Sequence, residues 1–292
     1  MIRSRLIASA IAVCMMFGTV ACGMGNSNGI LLTKRVSSGN GQFDHGELYQ
    51  KSFGSMKKVD DIYLKDLTKL DDNTVVGVYS EGPGTPRYVA SYDLKAGTMT
   101  KITEIENDIE NQRISANADL SEVYYGDKEK GIVKYDTVSG ESETLMAPEK
   151  LKEPVVTRDG KTMFYISDWN LITREVGKKV SGGIIASNVH TYALSNDEKF
   201  IIFTRLGREY NSILYKLDLE TGEETYLKKL DNQAEMISIS SDNTEFAYVT
   251  YTAAFFSSWG RTVLNVCDLK TGKSKVAFRS GFAAYIPSII LF

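Results

Sequence analysis

Apolar and polar positions alternate in short runs along most of the chain, and the runs break at recurring Asp and Gly. Four segments read alike: "YDLKAGTMTKIT" from Tyr92, "YDTVSGESETL" from Tyr135, "LDLETGEETYL" from Leu217 and "CDLKTGKSKVAF" from Cys267. Each sets an apolar or aromatic residue before Asp, then a short connection, Gly and an alternating run, the pattern of two strands joined by a tight turn. A second element lies ahead of each first one: "LDDNTVVGVY" at Leu70, "NADLSEVYYG" at Asn117, "TRDGKTMFYI" at Thr157, "SNDEKFIIFT" at Ser195 and "SDNTEFAYV" at Ser241. Each is an Asp-centred polar turn leading into a strand rich in aromatic and β-branched residues.

The aspartates Asp93, Asp136, Asp218 and Asp268 are spaced by 43, 82 and 50 residues, and 82 is close to two units of about 41. The gap predicts a degenerate unit in the middle, and "TRDGKTMFYISDWNLITREVGKKVSGG" from Thr157 supplies it. Periods near 40 with four strands per unit point to an all-β chain folded as a β-propeller, each unit a blade packed on its neighbours. Five complete blades are expected at about 60–105, 106–150, 151–185, 186–231 and 232–280. The remainder, "ILLTKRV" and "GELYQKSF" at the front and "FAAYIPSIILF" at the end, is expected to form a composite sixth blade that closes the ring and protects its edges. The alternative is a chain shortened at its end.

The order Asp-turn, strand, loop, strand, "DLxTG", strand resembles the WD-type repeats of bacterial envelope propellers, the family that includes the TolB β-propeller domain and many propeller lipoproteins. The resemblance covers roughly residues 60 to 280. It implies the fold and leaves the task open, because propellers host binding, scaffolding and catalysis alike.

The front of the chain is built differently. Arg3 and Arg5 precede a mostly apolar stretch from Leu6 to Ala21, the layout of a secretory signal peptide over residues 1–21 and too short to span a bilayer comfortably. "TVACG" at residues 19–23 resembles the lipobox of bacterial lipoproteins, with Thr19 where leucine is usual. The resemblance implies acylation of Cys22, which becomes the new N-terminus and anchors the protein to the cell membrane or outer membrane. The other reading is an ordinary signal peptide cut nearby, with Cys22 incidental. Residues 22–29 carry the glycines and asparagines of a flexible tether, and 30–292 the propeller. Gly25-Asn26-Ser27-Asn28-Gly29 matches the G-x-S-x-G pattern of hydrolases, but neither the strand before nor the helix after it is readable.

Without residues 1–21 the chain has 271 residues, and its net charge moves from −3 to −5, with no basic run for nucleic acid. With Cys14 removed and Cys22 acylated, only Cys267 remains, so no internal disulfide is expected. His45 and His190 are the two histidines, and neither a metal centre nor another cofactor is expected. His45 lies in "FDHGE" beside Asp44 and Glu47, a loop grouping without a fourth ligand.

Tyr124, Tyr125, Phe164, Tyr165, Phe200, Phe203, Phe246 and Tyr248 recur at equivalent strand positions, as packing between blades requires, and are read as core. The turn aspartates are read as backbone caps, so no catalytic residue is assigned. The departure is in blade five, where the interval stretches and the connection "TAAFFSSWG" presents Phe255, Phe256 and Trp259. This loop is expected beside "RLGREYN" of blade four and "SEGPGTPR" of blade one, joining Arg205, Arg208, Tyr210 and Arg87 in a contact surface for an envelope protein or glycan. The expectation is a monomeric, membrane-anchored lipoprotein acting as a non-catalytic binding or assembly module. The alternatives are a propeller enzyme of lactonase or glycosidase type and an extracytoplasmic ligand sensor.

Overall fold

The structure is a computed structural model and describes residues 29–37, 43–51, 56–82, 84–106, 113–117, 119–147, 151–178, 182–207, 211–254, 257–280 and 284–292. The strands begin with β1 (Ile30–Ser37), β2 (Phe43–Lys51) and β3 (Lys57–Asp60). Blade one holds β4 (Tyr63–Lys69), β5 (Thr74–Ser80), β6 (Arg87–Asp93) and β7 (Thr98–Ile105). Blade two holds β8 (Ser115–Ala116), β9 (Glu122–Asp127), β10 (Gly131–Asp136) and β11 (Ser142–Met146). Blade three holds β12 (Leu151–Val156), β13 (Thr162–Ser167), β14 (Asn170–Glu175) and β15 (Gly183–Ser187). Blade four holds β16 (Val189–Leu194), β17 (Phe200–Leu206), β18 (Ser212–Asp218) and β19 (Glu224–Lys229). Blade five holds β20 (Ala234–Ile239), β21 (Glu245–Ala254), β22 (Ser257–Asp268) and β23 (Ser274–Arg279), and β24 (Ala284–Leu291) ends the chain.

These strands form six four-stranded antiparallel sheets, with no helix among the described residues. The sixth sheet runs β24-β1-β2-β3, so the end of the chain supplies its innermost strand and the beginning the other three. Ile30 faces Leu291 and Leu32 faces Ile289 across that joint. The composite blade expected from the sequence is therefore present, and the ring is a closed six-bladed β-propeller.

The blades cohere because each sheet buries both faces. Along a strand, side chains alternate between faces. In β5, Val75 packs on blade six with Leu31, Leu48 and Ile290, whereas Val76 packs on blade two with Ile114 and Val123. In β17, Ile201 and Phe203 join blade three beside Phe164, and Ile202 joins blade five beside Phe246. Six apolar clusters result, one for every seam of the ring. All eight aromatics read as core from the sequence are buried in them, none more than 7% exposed. Polar bonds stitch the same seams. Tyr192 Oη donates to the carbonyls of Glu153 and Phe164 at 2.7 and 2.9 Å, and Thr33 donates across to the Leu64 carbonyl.

The recurring aspartates are caps. Asp136 accepts the N–H groups of Val138 and Ser139, Asp218 those of Glu220 and Thr221, and Asp268 that of Thr271, at 2.7 to 3.0 Å. The φ > 0 that each turn needs falls on Gly140, Gly222 and Gly272. "FDHGE" is a strand, part of β2, and its Glu47 is bonded to Lys34 at 2.9 Å and Tyr49 at 3.1 Å.

Two outcomes are expected. Ending the chain before Ala284 removes Ile286 and Ile289 from one seam and Ile290 from the next, so the truncated protein should lose its cooperative urea transition. Backbone N–H groups hold the carboxyls of Asp136, Asp218 and Asp268 below their ordinary 3.8. Their stabilisation is full above that value and fades as pH falls through the lower folded value. The gap in Tm between wild type and the triple Asp→Ala variant should therefore narrow from neutral pH towards pH 3, as thermal melts at several pH values will show.

Candidate binding face

Successive strands run in opposite directions, so the two ends of the ring differ in kind. The Asp turns that join first to second and third to fourth strands occupy one end. The hairpins joining second to third strands, and the connections that enter each inner strand, occupy the other.

At that second end, blade five stands out. β21 has 10 residues and β22 has 12, where β17 and β18 of blade four have 7 each. The ladder continues through Thr252 facing Arg261 to Ala254 facing Ser257. At about 3.4 Å per residue, the three further residues of β21 carry the hairpin roughly 10 Å past the end of the blade-four strand. "TAAFFSSWG", read from the sequence as a loop, is thus mostly paired strand. Trp259 lies in β22, where its backbone alone is described; Phe255, Phe256, Arg208, Tyr210 and Cys22 fall outside the described residues.

The expected neighbourhood is corrected in part. Blade four does adjoin blade five, but blade six stands between blade five and blade one, packing on both through separate clusters. Arg87 and Arg205 belong to blades three places apart, across the ring from each other, so the structure does not bring them together. Arg205 is held within its own seam. Its Nη atoms donate to both oxygens of Glu224 at 2.7 Å, its Nε donates to the Ser187 carbonyl at 2.9 Å, and its guanidinium lies 4.7 Å from the Tyr215 ring centroid. That bidentate pairing raises its pKa further, so it is a fixed cation already neutralised by Glu224.

The sequence reading passed over Trp169. It occupies the two-residue turn between β13 and β14, where Asp168 and Trp169 have φ of 47° and 64°. Such turns favour Asn-Gly, yet a tryptophan stands there with 49% of its surface exposed. His190 stacks on it at 5.9 Å between centroids, and Lys152 Nζ lies 5.0 Å from its ring. His190 Nε2 is 2.8 Å from the Gln233 amide nitrogen and 3.9 Å from the Glu235 carboxylate. His190 Nδ1 is buried and has no hydrogen-bond partner among the described residues. Beside this group a cavity of about 390 Å³ is lined by Trp169, Asn188, Arg205, Leu206, Ile213 and Tyr215.

The channel between the inner strands holds a buried ionic group. Arg113, just ahead of β8, lies 3.4 Å from Glu153 of β12 and donates to the Ile237 carbonyl of β20 at 3.2 Å. Glu153 accepts from Thr191 Oγ1 at 2.9 Å. The carboxylate ties blades two, three and four, and the Arg113 guanidinium extends the link to blade five. Burial raises the Glu153 pKa, against the pull of Arg113 and the hydrogen bonds of Thr191 and the Tyr192 N–H. Towards the Asp-turn end, a cavity of about 170 Å³ is lined in part by Arg113, Ser115, Arg158 and Asn196. No grouping of three His, Cys, Asp or Glu able to hold a metal occurs among the described residues.

With this geometry in place, the comparison with solved structures is direct. TolB from Acinetobacter baumannii superposes with a TM-score of 0.71 at 17% identity, over 99% of this chain and 73% of that one. This is a TolB-like β-propeller fold. A TolB-like protein from Agrobacterium tumefaciens matches at a TM-score of 0.59 and 12% identity, over 92% of this chain and 99% of the other. An oligogalacturonate lyase in complex with manganese matches at 0.53 and 13%, over 84% and 77%. No family model matches the sequence, and no curated protein matches it.

Removing Glu153 strands the Arg113 guanidinium. Glu153→Ala is expected to lower stability in urea unfolding by about 3 kcal/mol or more, as for other broken buried pairs. Glu153→Gln, which still accepts from Thr191, should lose clearly less.

Proposed function

We propose that the protein is exported, anchored to the bacterial envelope by a lipid on Cys22, and serves as a binding or assembly module for an envelope protein. The observation that carries this reading is the blade-five hairpin. Its ladder runs past the strands of blade four as far as Ala254 facing Ser257, in a stretch whose sequence reads "AAFFSSWG". A projecting ladder offers main-chain edges as well as side chains to a partner, and aromatic residues are the usual anchors of such contacts. The TolB-like fold supports a binding role without choosing it, since an oligogalacturonate lyase shares the propeller. The anchor reading is supported by the sequence of residues 3–29, and the tether would give the propeller free orientation above the membrane.

A photo-crosslinker at position 256 in cells should give one discrete protein adduct, and a crosslinker at buried Phe164 none. Adducts absent at 256, or equal at both positions, would contradict the reading. Phe255→Ala with Phe256→Ala should abolish the adduct of a crosslinker placed at 258. Cys22→Ser should release the protein from membranes on fractionation.

A further inference from the structure

We infer that the Asp-turn end of the propeller faces the bilayer that holds Cys22, and that the blade-five hairpin is presented to a protein on the side away from that bilayer. This rests on the lipid anchor proposed above and adds the pose that the anchor imposes.

The first observation is where the chain enters the ring. In blade six the first strand, β24, and the second, β1, come from opposite ends of the chain, so Gly29 and Phe292 meet where every other blade has its first Asp turn. The Phe292 N–H donates to the Gly29 carbonyl at 2.9 Å. Lys69 Nζ lies 4.7 Å from the Phe292 ring, and it donates at 2.8 Å to Asp72 of the blade-one turn and to Ser241 Oγ of the blade-five turn. The entry point therefore sits at the Asp-turn end, one strand out from the channel and at a joint of three blades.

The second observation is a pair of lengths. Residues 22–28 number seven, and at no more than about 3.6 Å each they reach about 25 Å. β21 runs from the Asp turn before Glu245 to Ala254 in the hairpin, 10 residues, or roughly 34 Å at about 3.4 Å per residue. With the hairpin end against the bilayer, the tether would have to span that whole height, and it is too short. Orientation about the anchor is free up to this limit, which removes the poses that point the hairpin at lipid. Charge does not compete with it. Carboxylates on the Asp-turn end, at Asp71, Asp93, Asp136, Asp218 and Asp268, are committed to backbone N–H groups, with lysines such as Lys95 and Lys270 between them. That mixture is no basic cluster to adhere to an anionic leaflet, and beyond about 8 Å repulsion is screened as well. Covalent reach sets the pose.

Energy transfer to the membrane surface decides it, with the acylated full mature chain purified from membranes and reconstituted in phosphatidylcholine vesicles that carry a headgroup-labelled acceptor lipid. A donor dye on Lys270→Cys, in an Asp turn, should show at least twice the transfer of one on Ser258→Cys, in the hairpin. Inserting about 30 Gly and Ser residues between Asn28 and Gly29 lifts the limit, and the two positions should then approach equal transfer. Equal transfer in the chain with its own tether, greater transfer from position 258, or an unchanged ratio after the insertion would each overturn the pose. Mass spectrometry of the N-terminal peptide reads the anchor separately. An acyl group on Cys22 with equal transfer refutes the pose alone, whereas an unmodified Cys22 refutes the anchor and the pose with it. The adduct at position 256 reports on the partner, so its failure is distinguishable from both.

Discussion

Every blade of this protein is a sheet with two apolar faces and no core of its own. Val75 and Val76, adjacent in one strand, serve two different seams, and so do Phe246 and Tyr248 against Ala247 and Val249. A sheet of this kind is stable only between two others. The constraint propagates round the molecule until the last blade meets the first. Closure by β24 and β1 is therefore the step that completes two seams at once, with Ile286 and Ile289 on one side of the sixth sheet and Ile290 on the other.

Closure also divides the surface into parts with different freedom. The sheet faces are committed to packing and the Asp-turn end to caps, where each carboxylate serves the backbone beside it. The opposite end is where the blades depart from one another: a hairpin grows out of blade five, a tryptophan occupies a turn in blade three, and Arg205 is clamped in blade four. Inside the channel, Arg113 and Glu153 occupy the place where inner strands converge and exchange charge and hydrogen bonds across four blades. The ionic group fixes the inner strands, and the rim is the end at which the blades differ.

The repeat was legible because burial on both faces forces the same apolar run into every second strand, and because the Asp-Gly turns need the same residues each time. The composite blade was legible by subtraction. What escaped has physical causes. "TAAFFSSWG" lacks the alternation of a half-buried strand, so it reads as a loop, although its backbone pairs as a ladder. Arg205 carries no sign in sequence that Glu224, on another strand, holds both its Nη groups. Trp169 was hidden in the degenerate repeat; Asp-Trp between two strands separated by two residues was the available signal, a turn with the wrong residue for its conformation. The order of blades around the ring, which parts Arg87 from Arg205, depends on the sixth blade taking its place between the first and the fifth.

The central claim, that the ring is one cooperative unit closed through the chain ends, is tested most directly by hydrogen exchange resolved strand by strand in increasing denaturant. Amides of β24 and β1 should show the same protection as those of β13 and β17, and all should be lost at one common denaturant concentration. Early exchange of β24 and β1, with blades two to five still protected, would contradict it.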